Sequence, residues 1–401
     1  MFAVADTKKL VSDEVITAEQ AQIIERRARE AMITMAVNSV LCFGILAATA
    51  GFIVLLAEPL PVAILGLLFL IAGLWVLNKS SADYRIFGNA AALIGAGMLI
   101  GGGSVELIDK AEDQAGWVLA IGGALIALIC GSALRRGSAA AGFVLGAILI
   151  TGVALHLGGL GLLLEQQGLF GGAKAAFFLY AAAVVLATGW VTDVRLISAL
   201  SLVPFAQVLD TGSGYFHAVY VFYSPEPTLT ILQMGLLIAG CVLLAQRVPE
   251  RTARHARLVA VLAFVVANMC ALVGSLWGDI VGSHLWGPDY TDFSAIAESN
   301  DRWGAYRAAR DAFEAKTLVI SENLYSLVWA LALVGMIFWS AQRNIRGLFN
   351  TAMTFGAIHA YTQFFESFAD EPAAYVLGGL AAIPLAWGLW RLNQRMAAQE
   401  S

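Results

Sequence analysis

Apolar residues gather into twelve long stretches separated by short polar joints: 34–56, 60–78, 86–103, 117–134, 138–163, 173–191, 196–210, 228–246, 258–277, 319–341, 347–367 and 372–390. The runs are continuous and lack the apolar-polar alternation of a barrel strand, so each predicts a helix. A helix crosses about 30 Å of hydrocarbon with about 20 apolar residues. Most stretches reach that length, whereas 196–210 is short and is expected to be tilted, half-buried or re-entrant. The fold class expected is all-α, a polytopic transmembrane helix bundle of twelve spans. A large soluble core is excluded, because only short polar loops break the apolar runs.

The polar joints carry the orientation. With the N-terminus inside, eighteen of the 24 Lys and Arg fall in inside segments and six in outside ones. Such loop bias orients membrane helices, so both termini are expected to be cytoplasmic. Composition agrees, with 59% hydrophobic and 13% charged residues and a mean hydropathy of +0.75. The net charge of −5 gives no sign of a nucleic-acid partner. The first apolar run starts near Ile33, after a charged segment, so no cleavable leader is evident. Cys42, Cys130, Cys241 and Cys270 all fall in apolar stretches. Their spacing fits no zinc or haem pattern, and they read as small packing residues. No cofactor is implied.

The expected organisation is a cytoplasmic segment at 1–33, spans one to nine at 34–277, an extracytoplasmic loop at 278–318, spans ten to twelve at 319–393 and a tail at 394–401. In the first segment, Thr17 and Gln20 have the spacing of a capping box, opening a helix over Ala18–Met32. A short helix at Thr7–Glu14 precedes it, which predicts a small hairpin. That hairpin either docks an envelope protein or lies at the lipid interface. The loop begins with the turn-like Trp286-Gly-Pro-Asp-Tyr290. It continues with Trp303, Tyr306, Arg310 and Phe313 at spacings of three and four, the pattern of an amphipathic helix. The helix is either a surface element or a lid, and the loop is a second docking candidate.

Glycine pairs four apart, Gly97/Gly101 and Gly142/Gly146, are expected to bring helix backbones together. Ionisable groups collect toward the expected outer ends of the spans. His359, Gln363 and Glu366 share one helical stripe, and Glu322 opens the neighbouring stretch. His156 lies in the fifth stretch, Asp210 closes the seventh, and His217 follows it. Polar groups at membrane depth are costly and favour facing one another or a cavity. His359, Gln363, Glu366, Glu322 and His156 therefore form the expected polar site, in which one carboxylate raises the other's pKa. No metal motif and no catalytic nucleophile pattern accompanies them.

LVSDEVITAEQAQII, GILAATAGFIVLLAEPLP and GNAAALIGAGMLIGGG near the start resemble a family of bacterial membrane proteins, the domain-of-unknown-function 2157 group with its 4401 relatives. RNIRGLFNTAMTFGAIHAYTQFFE and LGGLAAIPLAWGLWRLNQR resemble that family's last two helices. The likeness covers the first hundred and last sixty residues, and the middle by hydropathy alone. It implies a multi-pass protein of the bacterial inner membrane and no particular activity. Three readings stay open: a transporter or permease for a small solute or ion, then a membrane scaffold or envelope-assembly factor, then a membrane-embedded enzyme at the outer face.

Overall fold

A computed structural model describes residues 7–12, 14–29, 58–79, 85–136, 142–169, 171–216, 218–295 and 299–368, with isolated positions at 40–51 and 371–394. These fall into two compact units, Met1–Leu163 and Leu164–Ser401.

The first unit begins with α1 (Thr7–Ser12) and α2 (18–29). The capping box is present: the Thr17 amide donates to Gln20 Oε1 at 2.9 Å, and the Gln20 amide donates to Thr17 Oγ1 at 3.2 Å. Glu14 takes a left-handed conformation (φ 57°) and turns the chain between the helices. That stops α1 at Ser12, two residues short of the expected end. Thr7 Oγ1 donates to Glu25 Oε1 at 2.6 Å and ties the hairpin.

Four long helices follow: α3 (Pro59–Lys79), α4 (Arg85–Lys110), α5 (Glu112–Arg135) and α6 (Gly142–Gln166). Pro59 and Pro61 sit in the first turn of α3, where a missing N–H costs no helical bond. A Cβ added to Gly95 of α4 would strike backbone atoms of Leu70 and Gly66 on α3. Likewise Gly123 on α5 lies against the backbone of Gly152 and His156 on α6, and Gly159 against that of Gly116 and Ala120. Here the expectation for one pair is corrected: among the described residues, Gly142 and Gly146 have nothing within 4 Å of an added Cβ. The contact glycines are seven apart, as in 95/102, 116/123 and 152/159. Two turns of helix return a residue to nearly the same face, so that spacing makes a long notch.

The second unit opens with α7 (Gly172–Thr192), α8 (Arg195–Leu200) and α9 (Leu202–Gln207). The expected span 196–210 is thus two six-residue helices. Pro204 removes the amide that would bond to the Leu200 carbonyl, beside the break at Ser201. The pair still runs back along α7, because Ser198 abuts Gly189 near the end of α7 and Asp210 bonds Lys174 near its start. After a hairpin of β1 (Gly212–Phe216) and β2 (Val219–Tyr223) come α10 (Pro227–Ala245) and α11 (Glu250–Trp277). Two-residue strands β3 (Asp279–Ile280) and β4 (Val319–Ile320) pair antiparallel. Between them lie α12 (Ser283–Trp286), a 3-10 turn at Tyr290–Phe293 and α13 (Ser299–Glu314). The long helices α14 (Glu322–Gln342) and α15 (Arg346–Phe368) complete the unit. These two small sheets are departures from a purely helical expectation. One core cluster joins α9, α10 and α11 through Leu202, Met234 and Val259. A second joins α11, α14 and α15 through Ala271, Trp329 and Phe355.

Among the described residues eight helices are long and apolar enough to cross a membrane: α3 to α7, α10, α11 and α14. That is the make-up of a helical membrane protein. The stretch 347–367 is helical as α15, but Asn350, His359, Gln363 and Glu366 dilute its apolar character, and it is not among the eight. The stretches 34–56 and 372–390 lie outside the described residues, isolated positions apart.

Candidate functional site

Two ends of the second unit carry dense polar networks, the loop end (residues 210–228 and 278–322) and the arginine-rich end (residues 190–198 and 247–257).

At the loop end, Glu226 is fully buried immediately before Pro227, which opens α10. Its carboxylate accepts from the amides of Gly282 (2.7 Å) and His284 (2.6 Å). Charge-assisted bonds of this kind are the strong ones, and a buried carboxylate without them would be very costly. Gly282 has φ 84°, and a Cβ there would collide with the Trp286 ring, so the position admits glycine alone. Asp279, also buried, accepts the free amide of Thr228 at 3.0 Å. Thr228 Oγ1 lies 3.4 Å from the Tyr325 hydroxyl. Thr211 bonds both Ser224 and Thr230 at 2.8 Å in a buried hydroxyl chain. The loop 278–286 is therefore clamped to the start of α10.

Asp210 extends the clamp to α7. It accepts from Lys174 Nζ (2.6 Å) and from His284 Nε2 (2.9 Å). Burial pushes its carboxyl up, but the bonds and charges of Lys174 and His284 more than reverse that and hold it below the usual carboxylate range.

Over this clamp lies a polar cleft of about 440 Å³ between the 280–290 segment and α13. Tyr290, Tyr306 and Phe313 supply its rings, and Asp289, Arg310, Glu314 and His284 its charges. Arg310 Nε donates to Glu314 Oε1 at 3.1 Å. Tyr306 meets Tyr290 edge-on (centroids 5.8 Å) and Trp303 at 5.4 Å. Asp289 caps its own turn through Thr291, whose amide and hydroxyl hold the Asp289 carboxyl below the usual range. The rings and the cap fix the shape of the cleft before any ligand arrives.

At the arginine-rich end, His255 Nε2 donates to Asp193 at 3.1 Å, leaving Nδ1 to accept from the Ser198 hydroxyl at 2.7 Å. The residue types are those of a hydrolytic triad. Ser198, however, is fully buried against the backbone of Gly189, which closes off the approach a nucleophile needs. The arrangement works as a polar lock joining α7, α8 and α11. Arg251 braces it by donating to the Trp190 carbonyl at 2.9 Å.

The expected site residues belong to α14 (Glu322), α15 (His359, Gln363 and Glu366) and, for His156, α6 of the first unit. His359 is half-buried on α15, its ring 4.7 Å from that of Trp329, and among the described residues its Nδ1 has no hydrogen-bond partner. Trp329 Nε1 donates instead to Asn268 Oδ1 at 3.0 Å. Gln363 is half-buried, while Glu366 and Glu322 are exposed. Among the described residues no hydrogen bond or ion pair joins Glu322 to Glu366. His156 belongs to the first unit, where Nδ1 donates to the Ala120 carbonyl at 2.7 Å. His217 lies outside the described residues. Sequence reasoning passed over Glu226, Asp279 and His284. An acid directly before a proline that opens a helix was the available signal for Glu226. Among the described residues no group of three His, Cys, Asp or Glu is placed to hold a metal ion.

No family model matches the chain, and no curated protein or solved structure matches it either.

Proposed function

We propose that this chain is a multi-pass protein of the bacterial inner membrane, with both termini cytoplasmic, whose outward-facing cleft binds a sugar ring. The orientation rests on the distribution of Lys and Arg, and membership of the domain-of-unknown-function 2157 group belongs to the same proposal. The observation that carries the binding reading is the chemistry of the cleft on a pre-clamped loop. A sugar ring presents apolar C–H faces and a rim of hydroxyls that both donate and accept. It calls for aromatic walls together with carboxylate acceptors and a guanidinium donor. Tyr290, Tyr306 and Phe313 furnish the first, and Asp289, Glu314 and Arg310 the second. Ligand sites commonly combine such aromatic walls with a few polar groups in a largely pre-formed pocket.

Titrating the purified full-length protein with an N-acetylhexosamine disaccharide should quench the fluorescence of Trp303, which neighbours Tyr306. Tyr306→Ala should weaken binding at least tenfold. Saturable binding that Tyr306→Ala leaves unchanged, or no response to any neutral, N-acetylated or uronic sugar, overturns the reading.

The transporter reading keeps one supporting observation, the Nδ1 of His359 on α15, which has no partner among the described residues. It ranks second because, among the described residues, cavities along α7, α10, α11 and α14 are walled almost wholly by apolar side chains.

A further inference from the structure

A second cavity starts where the cleft ends. It is a lateral groove of about 490 Å³ walled by Leu318, Ile320, Leu324, Val328, Ala332 and Met336 from one side and by α11 from the other. Phe264 and Met336 also line a further apolar groove of about 820 Å³, which continues along α11 and α14 to Arg257, Trp339 and Thr351. From Leu324 to Trp339 a helix rises about 22 Å. That exceeds the roughly 15 Å of a single leaflet's hydrocarbon, half of a 30 Å core.

Cleft and groove share one strand pair. Ile280 of β3 lines the cleft, Ile320 of β4 lines the groove, and the two strands pair with Asp279 opposite Ile320 and Ile280 opposite Val319. The connection is also direct along the chain. Phe313 and Glu314 wall the cleft, Leu318 and Ile320 wall the groove, and exposed Lys316 lies between them. Thr317 Oγ1 donates to the Val281 carbonyl at 3.0 Å and holds this bridge in place.

We infer that the ligand is a sugar carried on a long isoprenoid through a phosphate, with the sugar in the cleft, the phosphate at Lys316 and the tail in the groove along α11 and α14. This rests on the sugar-binding reading above and adds the lipid anchor. Each part of such a molecule meets the matching chemistry in the matching order: aromatic and hydrogen-bonding walls, one cation, then an apolar trough at membrane depth. The length of the trough favours a chain that passes the midplane over an ordinary acyl chain confined to one leaflet.

The test uses the full-length protein in nanodiscs, with polyprenyl-phosphate hexose as probe and native mass spectrometry as readout. Hexose 1-phosphate, polyprenyl phosphate and phosphatidylglycerol serve as comparators. The probe should bind at least tenfold more tightly than any comparator. Ala332→Trp, an exposed position that fills the groove without entering the core, should cost at least tenfold for the probe and nothing for hexose 1-phosphate. Lys316→Glu should weaken both phosphate-bearing sugars. Equal binding of hexose 1-phosphate and the probe, indifferent to Ala332→Trp, overturns the lipid anchor and leaves the sugar cleft standing. Probe binding that is indifferent to Tyr306→Ala but lost in Ala332→Trp overturns the cleft instead. Equal binding of phosphatidylglycerol overturns the inference, showing that the groove takes membrane lipid in general.

Discussion

At the scale of single residues, the loop end depends on one buried carboxylate. Glu226→Ala leaves the buried amide of Gly282 and the partly buried amide of His284 without their acceptor and should cost roughly 3 kcal/mol. Glu226→Gln keeps the shape but turns an NH2 toward one of them, so a smaller loss is expected. Thermal melts of the purified variants should rank wild type, Gln, then Ala; an Ala variant as stable as wild type contradicts the clamp. Asp210 makes a pH-dependent contribution. Its folded pKa lies below the ordinary value near 4, so its contribution is complete above that value. The contribution fades as pH falls through it toward the depressed one. Asp210→Asn should flatten that part of the acid limb in a series of melts from about pH 5 to pH 2, by the same linkage. An acid limb identical to wild type would show that the Lys174 and His284 bonds carry no weight.

At the scale of elements, glycine notches and polar locks do different work. Lipid is as apolar as leucine, so helices in a bilayer associate through close packing and interhelical hydrogen bonds. The α5–α6 pair uses both, with Gly123 and Gly159 set against backbone and His156 donating to Ala120. Gly123→Val should force the helices apart at a cost of about 1–3 kcal/mol, as overpacking does. Gly146→Val fills open space and should stay within about 0.5 kcal/mol of wild type, as surface changes do. Unfolding of the two variants in mixed micelles checks the pair, and equal losses would place the notch elsewhere. The expectation for the Gly142/Gly146 pair failed because spacing alone cannot say which face of a helix meets its neighbour.

At the scale of the whole molecule, the decisive property is sidedness. Reporter fusions after Gly137 and Arg257 should report a cytoplasmic location, and fusions near Asp113 and Tyr290 an external one. A cytoplasmic signal at Tyr290 would reverse the orientation and move the cleft inside. The segment 196–210 bears on this count. Its two six-residue helices and the break between them rise about 20 Å, short of a full span. Yet the segment connects the two ends of α7, through Ser198 at Gly189 and Asp210 at Lys174. The proposed alternation of sides requires this broken helix pair to cross, and the fusions at Arg257 and Tyr290 test that.

Long apolar runs, the capping box at Thr17 and Gln20 and the helical spacing of Trp303, Tyr306 and Phe313 were legible because they are local. Periodicity and capping act within a few turns, and the chain states them directly. The same holds for the stripe of His359, Gln363 and Glu366, whose shared helix was readable. Whether that stripe would meet Glu322 was not. Which groups meet across elements depends on helix rotation and on backbone turns such as Gly282 and Glu14. Glu226 lies far along the chain from Asp279 and His284, and the three have no periodic signature. Only packing brought them together, since a buried carboxylate persists where the fold delivers amides to it. The membrane helices were decided by composition, which solvent reads residue by residue. The cleft and the groove beside it were decided by tertiary structure, which alone sets one segment against another.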